Sequence, residues 1–309
     1  HYLARLFAQL PDVEVGFICD VDANVLERTV SDLEKLTGKK PKAFKDVRLL
    51  LEEKNLDAIA IATPDHWHAP ATLMALKAGK HVYVEKPCSH NPAEGEILVA
   101  AAAKYNRIVQ MGNQRRSFPN IIKAMSDLHS GIIGRVYSAK GWYANARKSI
   151  GTGKVTAVPT HLDYDLWQGP APRKPYKDNL IHYNWHWFWN WGTGEAFNNG
   201  THELHVMRWG LGVDYPTKVV SAGGRYAFND DWETPDTQTI TYEFANKTSI
   251  LWDGRSCNDY DEFKSGRGVV FYGEKGTMVI PGGDDYSVYE LGNKLLKEVK
   301  TEIQQVDAT

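Results

Sequence analysis

Apolar positions in the first third of the chain come in two rhythms that alternate. Residues 13–20 and 58–62 are short, nearly continuous apolar runs, as expected of strands buried on both faces. Between them, residues 22–36 place apolar side chains at helical spacing. Further on, the pattern predicts helices over 47–53, 69–77 (stopped by Gly79) and 93–104, and strands over 81–84 and 108–111, the last ended by Gly112. The opening residues read as a helix already under way, without a strand, a glycine-rich turn or a methionine before it. Strands and helices alternating at this spacing predict an α/β domain with a doubly wound parallel sheet.

The rhythm changes after residues 113–117. Residues 135–143, 217–226, 237–244, 249–253 and 269–272 alternate in the manner of half-buried strands. Helical spacing is confined to a stretch after Phe118 and another around 202–211. The Pro/Gly-rich stretch 169–175 predicts a loop. The expected second domain is therefore α+β with a mostly antiparallel open sheet, and the expected boundary separates residues 1–115 from 116–309.

Composition narrows the function classes. The chain has 309 residues, 42% of them hydrophobic, enough for two cores. With Lys+Arg 36 against Asp+Glu 38, the net charge of -2 implies no basic face and argues against nucleic acid as a partner. No apolar run has the length of a membrane span. The three cysteines, Cys19, Cys88 and Cys257, are far apart, which argues against a disulfide framework and a zinc–thiolate site. The pairs His66/His68, His182/His186 and His202/His205 could each be read as metal ligands. Among eleven histidines such spacings arise by chance, and no third ligand accompanies them, so no metal is expected.

Four places carry candidate chemistry. Asp20 ends the first strand, where an acid can accept hydrogen bonds from adenosine ribose hydroxyls and repel a 2′-phosphate, favouring NAD over NADP. The turn Thr63-Pro64-Asp65-His66-Trp67-His68 follows a buried strand, and Pro64 stiffens it. Glu85-Lys86-Pro87 ends the next strand, which would leave Lys86 poorly solvated and close to any ligand there; an exposed lysine before a turn is the plainer alternative. His202 falls near a helix start, where a neutral imidazole is favoured and can act as a general base, with Asn198 four residues earlier to orient it. A histidine at a helix start is otherwise most often a cap. Four tryptophans alternate along residues 184–191; an extended segment would put them on one face, as a sugar-stacking wall or as an interface plug.

The strings IAIATPDHWH, ALKAGKHVYVEKP, QMGNQRR and NNGTHELHVMRWGLG together resemble the family of glucose-fructose oxidoreductase, inositol dehydrogenase and rhizopine catabolism proteins. The resemblance runs through essentially the whole chain. It implies a Rossmann domain that binds NAD, or less readily NADP, and a C-terminal sheet domain that binds substrate and joins subunits into a homo-oligomer. It implies Lys86 and His202 as the catalytic pair, with a cis bond before Pro87. Asp20, Thr63, Pro64, His68, Glu85, Lys86 and Asn113 become expected cofactor contacts. Arg115, Tyr183, Trp187 and Asn198 join Lys86 and His202 as expected substrate contacts. Family members commonly carry aspartates where this chain has Asn198 and His205, and an amide cannot stabilise an imidazolium as a carboxylate does. The resemblance also implies a first strand with its glycine-rich loop and a C-terminal helical stretch, neither of which the chain contains. The leading expectation is an oxidoreductase passing a hydride between a sugar or polyol and a nicotinamide. The alternatives are an NAD-retaining enzyme that cleaves glycosides through transient oxidation, and a sensor without catalysis. Cytoplasm and periplasm both stay open.

Overall fold

The computed structural model describes residues 2–301. The chain divides into two compact units. The first holds the chain up to Gly112 together with Gly151–Thr193, and the second holds Asn113–Ile150 with the residues from Gly194 onward. A single boundary after residue 115 therefore does not describe the division, because residues 151–193 pack with the first unit.

In the first unit, α1 (Tyr2–Phe7), β1 (Phe17–Cys19), α2 (Ala23–Thr37), β2 (Lys42–Phe44), α3 (Val47–Leu50), β3 (Ala58–Ile61), α4 (Asp65–Lys77), β4 (His81–Val84), α5 (Pro92–Tyr105) and β5 (Val109–Met111) follow in order. All strand pairs are parallel, as strands joined through helices require. They form two sheets, β1-β2 and β3-β4-β5. The edges of β1 and β3 away from these partners pair with no strand among the described residues. Both strands are only partly buried, because they face a cavity lined by both.

Local chemistry explains the helix ends. Asp22 caps α2 by accepting from the N–H groups of Asn24 and Val25, and Gly38 closes it in a left-handed conformation. Asn91 caps α5, whose first residue is a proline, and Asn106 ends it at positive φ. Leu76, Ala75, Val84, Ile61 and Val82 form the core under α4 and β3–β4. Residues 151–193 add α7 (Tyr164–Gln168) and a 3-10 turn over Asn184–Trp187. They are tied to the β1–α2 turn by a bridge between Asp22 and Leu162 and by backbone bonds Ala23 N–H to His161 O and Asp163 N–H to Val21 O. Gly169, at φ +49, lies against the indole of Trp67, where a Cβ would collide with the ring.

The second unit contains α6 (Pro119–His129), β6 (Val136–Ala146), α8 (Gly194–Asn198), α9 (Gly200–Leu211), β7 (Lys218–Gly224), β8 (Thr237–Glu243), β9 (Ser249–Arg255), β10 (Cys257–Asn258), β11 (Arg267–Gly273), β12 (Gly276–Pro281), β13 (Tyr286–Glu290) and β14 (Leu295–Val299). Its nine-stranded sheet has the order β14-β13-β12-β11-β6-β9-β8-β7, with β10 beside β6. Only β6 and β9 run parallel in it. The long strand β6 is central, and α9 packs across it with Met207 and Val206 in a core shared with Ile121, Met125, Phe271 and Ile250. Gly200 lets the start of α9 lie on the Trp252 ring, which a Cβ would meet at 2.9 Å.

Candidate active site

Between β1 and β3, along their whole length, the first unit holds a cavity of about 1190 Å³. Asp20, Val21, Thr63, Pro64 and Trp67 line it from the strand ends. Leu166, Trp167, His182, Trp185 and His186 line it from residues 151–193. Asp20 is half-buried and one of its oxygens accepts the Asp22 N–H at 2.9 Å. Burial raises its pKa, opposed by that N–H and by the nearby His182.

Asp22 holds the wall in place. One carboxylate oxygen caps α2, while the other meets His182 Nε2 at 2.9 Å and His161 Nδ1 at 3.1 Å. Burial acts to raise its pKa, but the Val25 and Asn24 amides and the two histidines outweigh it and hold the carboxyl below its ordinary range. Sequence reading assigned Asp22 and His161 no role and read His182 only as half of a chance histidine pair. The local signal was an Asx cap before a helix; the histidines come from about 140–160 positions away.

Lys86 follows β4, is half-buried, and precedes a cis bond to Pro87. Glu85 accepts from the Tyr83 hydroxyl and from the Lys86 N–H, each at 3.3 Å. Asp65 at the start of α4 is buried within electrostatic reach of His68, Lys86 and His90, and Thr193 Oγ1 donates to it at 2.6 Å. The sequence showed Asp65 only as a turn residue. His68 does not line the cavity; its ring nitrogens meet the Thr63 and Pro87 carbonyls. His66 is buried, donates from Nε2 to Trp167 O at 3.0 Å, and leaves Nδ1 without a partner among the described residues. Burial lowers its pKa to about 4.

In the second unit, His202 and Asn198 are both buried, at the first turn of α9 and the end of α8. The carboxylate that position 198 lacks lies one turn earlier. Buried Glu195 accepts from Arg147 Nε at 2.6 Å, from Asn198 Nδ2 at 3.3 Å and from Asn199. Asn113 Nδ2 lies 3.0 Å from His205 Nδ1, and Arg116 lies 2.7 Å from its other nitrogen. Burial, with Arg116 and Arg208, lowers the His205 pKa to about 4.

Two expected substrate contacts are buried, as His202 and Asn198 are. Arg115 is committed to the core: its guanidinium donates to Gly282 O at 2.6 Å and lies 3.6 Å from Glu203, which also binds Arg267. Trp187 is 1% exposed and belongs to the interior. The tryptophan wall fails for a geometric reason. Residues 184–187 form a 3-10 turn, not an extended segment, and Trp185, Trp187 and Trp191 are buried while Trp189 and Tyr183 are exposed. Among the described residues, no group of three or more His, Cys, Asp or Glu side chains could hold a metal ion.

Known proteins place these features in context. Residues 1–113 match the family model described as the oxidoreductase family with an NAD-binding Rossmann fold. Residues 140–283 match the C-terminal α/β domain of the same oxidoreductase family. An inositol 2-dehydrogenase of Salmonella typhimurium is 30% identical over 220 residues, covering 71% of this chain and 53% of that protein. A glycosyl hydrolase family 109 protein of Saccharopolyspora erythraea is 31% identical over 187 residues, covering 56% of this chain and 40% of that protein. The chain thus spans about half, or less, of the length of these relatives. Levoglucosan dehydrogenase in complex with NADH and L-sorbose superimposes with a TM-score of 0.71 at 18% identity, over 97% of this chain and 75% of that one. An NAD-binding oxidoreductase from Klebsiella pneumoniae gives 0.68 at 20% identity, over 96% and 72%.

Proposed function

The chain belongs to the glucose-fructose oxidoreductase, inositol dehydrogenase and rhizopine catabolism (Gfo/Idh/MocA) family, residues 1–113 being that family's NAD-binding Rossmann domain, and on that premise we propose that it transfers a hydride between a sugar or polyol hydroxyl and NAD. The observation that carries the reading is the place of the Asp20 carboxylate and the Thr63–Pro64 turn, each just past the carboxyl end of a parallel strand. Bound there, NAD would supply the hydride acceptor. Asp20 would hold the adenosine ribose hydroxyls, and its charge would disfavour a 2′-phosphate.

The remaining work falls to the chain's own side chains. The Lys86 ammonium donates to the reacting oxygen and stabilises its developing negative charge. His202 takes the hydroxyl proton; helix-start N–H groups favour its neutral, proton-accepting form. Asn198, held by Glu195, is assigned to orient the histidine or the sugar. Sugar contact by the exposed Tyr183 stays part of the proposal, as does the cofactor contact of Glu85 and Asn113. Steady-state kinetics of Lys86→Ala test it: turnover on the true substrate should collapse, and near-normal turnover would contradict the mechanism.

A second reading is favoured by the similarity to a glycosyl hydrolase family 109 protein. Here the same NAD would stay bound and take a hydride from the sugar, elimination would release the aglycone, water would add in its place, and the hydride would return to the sugar. Liberation of free sugar without net NADH would support this reading over simple oxidation.

A further inference from the structure

His68 lies in the first turn of α4 and is 2% exposed. Its Nε2 is 2.8 Å from the carbonyl oxygen of Thr63, and its Nδ1 is 2.5 Å from the carbonyl oxygen of Pro87. Carbonyl oxygens only accept hydrogen bonds. A neutral imidazole carries one N–H and would turn a lone pair on the other oxygen, whereas an imidazolium donates to both. A buried cation needs a counter-charge. Asp65, three residues earlier on the same helix turn, is 3% exposed and would supply one when ionised. Burial raises its pKa; of the neighbouring charges that act against burial, His68 is the strongest, ahead of Lys86 and His90. Thr193 Oγ1 donates to its Oδ2 at 2.6 Å. His66, on the same turn, is set apart, because it is held neutral by burial and faces Trp167 O.

The two carbonyls belong to turns that matter. Thr63 follows β3 and lines the cavity, and Pro87 is bonded to Lys86 after β4. We propose that His68 is an imidazolium paired with the buried Asp65 carboxylate, and that its two N–H groups bolt the Thr63 turn to the Lys86–Pro87 turn. His68 and Asp65 are then positioning residues for Lys86. The consequence for catalysis rests on the reading of Lys86 as the reacting lysine; the charge state of the pair does not.

Nitrogen-15 NMR of histidine-labelled protein at neutral pH reads the pair directly, with His68→Gln to assign the signal. Both His68 ring nitrogens should be protonated and protected from exchange. A neutral tautomer with one unprotonated nitrogen would overturn the proposal, and this arm needs no variant to be active. In Asp65→Asn the imidazolium signature should be lost, and kcat should fall by roughly tenfold or more through misplacement of Lys86, while the Kd for NAD changes less than threefold. An imidazolium with Asp65→Asn at wild-type kcat would sink the positioning role. If Lys86→Ala is also fully active while the imidazolium is present, it is the assignment of Lys86 that fails, and the pair stands.

Discussion

Lys86 and His202 each carry a definite kinetic expectation. General acid–base groups typically contribute about 10²–10⁴-fold to turnover. Lys86→Ala and His202→Ala should each lower kcat by about that factor, measured as NADH formation, with a smaller change in NAD affinity. His66 gives a prediction for stability. Its folded pKa of about 4 lies below the model-peptide value of 6.5, so the unfolded chain binds the proton first as pH falls. Stability from this group is complete above about pH 6.5 and is lost as pH falls toward about 4, by roughly 3 kcal/mol in all. His205 adds a contribution of the same sign. Denaturant titrations across that pH range should show the slope, and His66→Phe should make it shallower. The positions of Lys86, Asp20 and His202 at element ends were legible from the sequence because each ends or starts an element whose pattern is strong. Asp65 and Glu195 were not, because their importance comes from burial beside charges that local pattern does not report.

The segment 151–193 and the turn it grips belong to the scale of elements. Asp22 both caps α2 and binds two histidines of that segment. Loss of a cap alone costs about 0.5–2 kcal/mol. Asp22→Ala should therefore lower the unfolding free energy by at least that much, and hydrogen exchange should rise in residues 160–190 as well as at the start of α2. Exchange confined to α2 would show that the histidine contacts contribute nothing. Sequence pattern matched the longer helices and most of the longer strands closely: residues 22–36 became α2, 81–84 became β4 and 237–244 became β8. It missed the short elements α7, α8, β2 and β10, and also β12, β13 and β14, whose short runs are interrupted by glycines, Asp284, Asp285 and charged residues. Residues 151–193 fall within the C-terminal domain match yet pack with the first unit, through long-range bonds to Asp22, Trp67 and Asp65 that local pattern does not report.

At the scale of the whole molecule, the cofactor preference rests on one charge. Two like charges about 4 Å apart near a protein surface repel by about 4 kcal/mol. Asp20→Ser should therefore raise the kcat/KM with NADP relative to NAD by about tenfold or more, while an unchanged ratio would remove Asp20 from the ribose site. The larger claim is that this chain oxidises a sugar or polyol with NAD. The most direct measurement is NADH absorbance with a panel of sugars and polyols, run on the wild-type protein and on Lys86→Ala in parallel. Net NADH should form with at least one substrate, and its rate should fall by about 10²–10⁴-fold in the variant. NAD binding without NADH formation from any substrate, or equal rates in the two proteins, would contradict it.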